Sequence, residues 1–294
     1  MRKLISRRDL LTGAAVATAY ATLPKNAEAL TAAQRLVLLG QGYSPAALAL
    51  FARMSPQPSQ ARMKLINKLI VSLISAGIWT KLDAFYVLAN FSSQASLLNW
   101  VSTSFNLSIA SGSPPFVVDA GYTPGISSDN ITSGFNPATA GGQFQQNNCC
   151  IFVRSNTNAR FNGGSCIGNG INTSGGGANI NPWNNSVNNG SYSMNGATNT
   201  NQLAPGTAQA FFCSNRSVST GFDVYQNGSL LGNITQTSQA PTNSAFQLLN
   251  VTAVNTTNSA RQLSFAGWGA SLTSSQAAAL YNAIAAYMAG IGLT

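Results

Sequence analysis

From residue 100 to residue 294 the chain repeats one pattern, a short apolar run followed by a stretch rich in Asn, Gly, Ser and Thr. Cys150-Ile151-Phe152-Val153, Gln209-Ala210-Phe211-Phe212-Cys213, Phe246-Gln247-Leu248-Leu249 and Gln262-Leu263-Ser264-Phe265-Ala266 are such runs. They are separated by turn signals with little helical periodicity between them, which predicts a mainly β, two-sheet antiparallel sandwich over residues 99–294. The sharpest local signal is Asp223-Val224-Tyr225-Gln226-Asn227-Gly228-Ser229-Leu230-Leu231, where Asn-Gly supplies the two positive-φ positions of a type I′ hairpin turn. A single helix closes the chain: Thr273 and Gln276 form a capping box, and Ala277, Leu280, Tyr281, Ile284 and Met288 make one apolar stripe.

Residues 30–98 read as helical. Ser44-Pro45 is a favoured N-cap and N1 pair for a helix running to about Met54. Ser59 caps a stronger helix carrying Met63, Ile66, Leu69, Ile70, Leu73 and Ile74 at helical spacing, and Gly77 ends it. Charge is divided just as unevenly. Of 15 Lys+Arg and 6 Asp+Glu, all the excess lies before residue 82; beyond it Arg154, Arg160, Arg216 and Arg261 balance Asp83, Asp119, Asp129 and Asp223. Arg62, Lys64 and Lys68 sit among the polar positions of their helix and read as a solvated face, so no nucleic-acid partner is expected.

The first 29 residues have the layout of a twin-arginine export signal: a basic start, Ser6-Arg7-Arg8-Asp9-Leu10-Leu11, a mildly apolar stretch, and Ala27-Glu28-Ala29 with a cut expected after Ala29. No stretch reaches the ~18 unbroken apolar residues of a membrane span.

The hairpin with Tyr225-x-Asn227-Gly228, the late strand Leu263-Ser264-Phe265-Ala266-Gly267-Trp268-Gly269, and Leu272-Thr273 opening a helix with Ala279-Leu280-Tyr281 together resemble the concanavalin A-like, laminin-G-like jelly rolls. Ala76-Gly77-Ile78-Trp79-Thr80-Lys81-Leu82-Asp83, with Ala95, Leu98, Asn99 and Trp100 after it, is similar to the opening of such domains in phage-encoded and prophage-associated proteins. The resemblance covers about residues 60–294. It implies a jelly-roll sandwich and a surface role, with partners among virion or cell-surface proteins, an oligomer if the protein belongs to a virion, and glycan as a ligand class.

The site inventory narrows the chemistry. With no His, the chain has no His-based triad and no His-ligated metal. Glycan-cleaving members of the superfamily carry two Glu beside an Asp on one strand, whereas the only Glu here is Glu28, so no catalytic residue is assigned. Asp129-Asn130 could supply oxygen ligands for Ca²⁺, but the same side chains also suit an Asx turn, and no metal site is assigned. Trp183 and Asn184, with Tyr192 behind them, group an aromatic with amides as sugar sites do; alternatively Trp183 plugs the sandwich edge. The glycines from Gly163 to Gly170 lack a strand-to-helix context and read as loop. Cys149, Cys150, Cys166 and Cys213 fit no zinc spacing; they allow one bridge from the Cys149-Cys150 strand to Cys166 or Cys213, or buried free thiols. The expectation is a non-enzymatic structural or adhesive protein, on a virion surface with the N-terminal helices as attachment, or exported as a carbohydrate-binding protein.

Overall fold

A computed structural model describes residues 37–38, 40–159, 164–170, 176–183, 189–197, 201–251 and 260–293. Arg7, Arg8, Ala27, Ala29 and Asn184, and with them the export signal, lie outside the described residues.

The chain divides into two compact units at residue 70. In the first, helix α1 (Pro45–Phe51) starts as its sequence predicts, with Ser44 Oγ accepting from the Ala47 amide and proline in the first turn. Helix α2 (Gln60–Ser75) begins in this unit and runs past the division at residue 70. Asn67 on α2 fixes the start of α1, its Oδ1 accepting from the Ser44 amide at 2.8 Å. Gly77 ends α2 with φ +65°, a backbone conformation that costs glycine nothing.

The second unit is the expected two-sheet antiparallel sandwich with a C-terminal helix. One sheet runs β13(Ser229–Thr235)-β12(Gly221–Gln226)-β11(Phe211–Arg216)-β6(Cys149–Ser155)-β15(Leu263–Gly269)-β4(Gly121–Tyr122)-β3(Phe116–Val117), with β1(Leu82–Val87) also paired to β15. The other runs β10(Asn201–Leu203)-β9(Gly190–Gly196)-β8(Gly177–Asn181)-β7(Ile167–Gly168)-β14(Gln247–Leu248)-β5(Asn130–Thr132)-β2(Ser108–Ser111). Between them lies one core in which Ile151, Val153, Phe212, Ala266 and Trp268 of the first sheet meet Ile131, Ile180, Tyr192 and Leu248 of the second. Trp268 stacks on Phe246 at 4.6 Å.

The central strands of the first sheet, β1, β6, β11 and β15, are buried on both faces, which is why they read as continuous apolar runs and not as alternation. Its outer face carries Phe85, Phe152, Phe211 and Phe265, whose neighbouring rings lie 5.9 Å apart. A short helix α3 (Ser93–Ser96) follows β1, and helix α4 (Ser274–Gly290) ends the unit. Helix α4 covers the phenylalanine rings, with Tyr281 against Phe211 and Tyr287 against Phe265. Gly267 is required where Phe152 crosses β15, because a Cβ there would collide with the Phe152 ring and the Ala84 carbonyl.

One boundary differs from the sequence reading. Residues 82–87 fall within the block that reads as helical, yet β1 pairs with β15 from Leu82↔Gly269 to Val87↔Phe265. Five of its six residues are buried, so no polar alternation marks it as a strand.

Candidate functional site

The residues expected to bind ligand are mostly consumed by the fold. Trp183 is 6% exposed and Tyr192 wholly buried, so neither ring offers a face to a sugar. Tyr192 sits on β9 with its side chain in the inter-sheet core, 6.4 Å from Phe212, because strand alternation turns it inward. Asp129 accepts from the amides of Ser113, Gly125 and Ile126 at 2.5–3.0 Å. Its two oxygens close a local loop, which is the Asx-type alternative to cation binding. Asn130 is buried, its Nδ2 donating to the Asn250 carbonyl. Among the described residues no group of three His, Cys, Asp or Glu gathers to hold a metal.

All four cysteines are buried and unbridged. Of the two readings the sequence allows, the structure has the buried free thiols and not the bridge; Cys149 lies in the inter-sheet core and Cys150 on the face under α4. Burial pushes the Cys149 thiol well up, and a hydrogen bond with Cys150 together with burial does the same for Cys213. Neither is a reactive thiolate.

What the sequence reading missed is a cleft of about 250 Å³ at the β11–β12 turn, where β11 and β13 end and β12 begins. The four residues between β11 and β12, Ser217-Val218-Ser219-Thr220, form an exposed lip. Asp223 and Asn233 are direct cross-strand partners on its wall. Asn233 Nδ2 donates to Asp223 Oδ1, and the Tyr225 hydroxyl donates to Asp223 Oδ2 at 3.3 Å. Burial, reinforced by the adjacent Asp223 carboxylate, pushes the Tyr225 hydroxyl up to about 12, so it remains a donor at neutral pH. Thr220, Ser217 and Thr235 add exposed hydroxyls, and Val218, 53% exposed, adds an apolar surface.

Two buried side chains hold this cleft in shape. Asn215 brackets Leu272, donating to its carbonyl at 2.9 Å and accepting from its amide at 2.6 Å, which fixes the cleft to the start of α4. Arg216 points the other way, between the sheets. Its Nε donates to Met194 O, Nη1 to Val218 O and Ser219 O, and Nη2 to Gln236 O. The guanidinium also lies 5.4 Å from the Phe222 ring centre. It thus ties the lip to β9 and to the segment after β13. The readable signals were a polar four-residue turn and an arginine in a block without net charge.

The arrangement suits hydrogen bonding to a neutral polyol. A carboxylate beside an amide and three hydroxyls offers acceptors and donors at close spacing, and a volume slightly below the ~300 Å³ of typical small-molecule pockets suits a small group.

No family model matches the sequence, and no curated protein matches it. Among solved structures the chain is similar to the binding domain of Botulinum neurotoxin serotype D (11% identity, TM-score 0.45, covering 70% of this chain and 52% of that one). It is also similar to domain 4 of an extracellular arabinanase from Geobacillus stearothermophilus in complex with arabinotriose (14%, TM-score 0.45, 68% and 98%). A third is Trypanosoma rangeli sialidase in complex with sialic acid (12%, TM-score 0.49, 74% and 38%). The chain spans about half the length of the toxin chain it matches. At these identities no ligand carries over.

Proposed function

We propose that the protein is a non-enzymatic adhesive sandwich that binds neutral glycan in the Asp223–Asn233 cleft. The observation that carries this reading is the pairing of a carboxylate and an amide on the wall of an open cleft whose other exposed groups are hydroxyls and one valine. The carboxylates support a binding role over hydrolysis. Asp83 on β1 and Asp223 on β12 lie four strand spacings apart, ~19 Å, beyond the ~9.5 Å upper limit for a glycosidase pair. Asp83 itself is engaged by the amides of Gln143 and Phe144 at 2.6 and 2.8 Å, and Asp129 by three amides.

The test is a neutral-glycan array followed by titration calorimetry on the best binder. Asp223→Asn and Asn233→Ala should each weaken binding at least about tenfold, the scale of one charge-assisted hydrogen bond. Binding that survives both substitutions sinks the assignment of the cleft.

We assign this module to a phage or prophage particle, with the cationic segment before residue 82 as its attachment. The Ser6-Arg7-Arg8 pattern supports export as the second reading. Intact mass of the purified native protein separates them: retention of residues 1–29 supports the particle, and a mass starting at Leu30 overturns it.

A further inference from the structure

Three arginines of the sandwich are described, and they divide sharply. Arg216 and Arg261 are wholly buried and have their acceptors inside the fold; Arg261, for example, donates to Ala159 O, Gly164 O, Asn181 Oδ1 and Cys166 Sγ. Arg154 is half-buried on the outer face of its sheet, and its side chain makes no hydrogen bond and no ion pair among the described residues. Its Nε is buried with no acceptor there. A guanidinium has five donors and cannot lose its charge, so a site that desolvates one without supplying an acceptor is incomplete.

The surroundings say what would complete it. Ile151 and Val153 face the core, so alternation sends Arg154 to the side covered by α4. There its direct cross-strand partners are Phe211 and Phe265, which form an aromatic floor. Tyr281 of α4 packs on Phe211 with ring centres 6.1 Å apart. It is half-buried, and its hydroxyl makes no hydrogen bond among the described residues. Burial pushes the Arg154 guanidinium down from its ordinary value and Tyr281 pushes it back, so the two groups share one electrostatic environment. A planar cation and a phenolic hydroxyl occupy one spot above buried aromatic rings, with no acceptor for either donor among the described residues. The geometry is that of a carboxylate receptor, because a guanidinium grips a carboxylate through two parallel N–H···O bonds.

We propose that Arg154 and Tyr281 bind the carboxylate of an acidic sugar, a second glycan subsite separate from the Asp223 cleft. This rests on the glycan-binding reading for its ligand class. The guanidinium would take the carboxylate, Tyr281 would donate to a carboxylate or ring oxygen, and the sugar's C–H face would lie on the exposed part of the tyrosine ring.

The experiment titrates the full-length protein with sodium glucuronate by NMR, in parallel with acetate and inorganic phosphate. Saturable glucuronate binding is expected, weakened at least about tenfold by Arg154→Met and measurably by Tyr281→Phe, and unchanged by Asp223→Asn. Because the Arg154 side chain makes no hydrogen bond within the described sandwich, Arg154→Met should melt at the same temperature as the parent or higher, which separates lost binding from lost folding. Absence of saturable glucuronate binding overturns the proposal. So does binding that survives Arg154→Met, or acetate or phosphate binding as tightly as glucuronate, which would leave a bare anion site. The neutral-glycan titrations on Asp223→Asn report on the cleft independently, so failure of one site is not mistaken for failure of the other.

Discussion

The guanidinium of Arg216 is buried between the sheets, where it satisfies the carbonyls of Met194, Val218, Ser219 and Gln236. Arg216→Met would leave the Met194 and Gln236 carbonyls unpaired in the interior, at ~1–3 kcal/mol for each that water cannot reach, while those of Val218 and Ser219 on the exposed lip can turn to water. The expected outcome is a loss of at least about 3 kcal/mol in urea denaturation, with Arg216→Lys restoring only part because ammonium lacks the planar fork. A loss under about 1 kcal/mol would mean that water replaces the guanidinium. In sequence the same residue is only one of four arginines that balance four aspartates beyond residue 82. Trp183, Tyr192 and Asp129 fail as sites for a related reason. Their types fit sugar or calcium chemistry, but the direction of a side chain on a strand, or the amides a carboxylate can reach locally, follows from neighbours that residue type does not specify. Asp223 was visible as a strand-borne acid; its pairing with Asn233 needed the register of the hairpin.

At the scale of elements the sequence was most legible where the cause is local. Asn227 and Gly228 take φ of +49° and +77°, as the type I′ turn requires, and Gln226 faces Ser229 across it. The Thr273–Gln276 capping box forms with both of its hydrogen bonds. Strand β1 escaped because burial on both faces removes the period-two signal, and its partner β15 is distant in sequence. The hairpin has a second role that the turn motif alone does not reveal. A Cβ on Gly228 would stand 3.1 Å from Ala278 Cα and from the Tyr281 ring, so the turn is wedged against α4. Gly228→Ala therefore strains the backbone and displaces the helix, and ~1–3 kcal/mol of destabilisation is expected. Ser229→Ala, exposed and one residue on, should stay within ~0.5 kcal/mol. Equal thermal shifts for the two would contradict the wedge.

For the whole sandwich, the burial of tyrosine hydroxyls and cysteine thiols inside it sets how stability responds to pH. Burial pushes up the hydroxyls of Tyr86, Tyr122 and Tyr192; burial and Asp223 raise Tyr225 to about 12; the thiols of Cys149 and Cys213 are raised as well. Each is an acid whose neutral form the fold prefers. Each contribution is fully present below the unfolded value, ~8.5 for a thiol and ~10 for a tyrosine, and is lost as pH climbs through the higher folded value. Asp83 has the same sign, since burial raises it more than its two backbone hydrogen bonds lower it. Its contribution is therefore greatest in acid, and Asp83 does not weaken the fold as pH falls. The expected profile in urea denaturation is a small decline through the acid range as Asp83 ionises, a plateau from there to about pH 8, and a decline that steepens above about pH 10. Several groups move in one direction, and every tenfold difference in acidity between the folded and unfolded chain is worth ~1.4 kcal/mol, so at least ~3 kcal/mol should be gone by about pH 11.5. Tyr225→Phe should flatten the upper part of that decline, because it removes the ionisation from both states. A profile level through pH 11, or a parallel decline in Tyr225→Phe, would show that hydroxide reaches these hydroxyls without unfolding the sandwich.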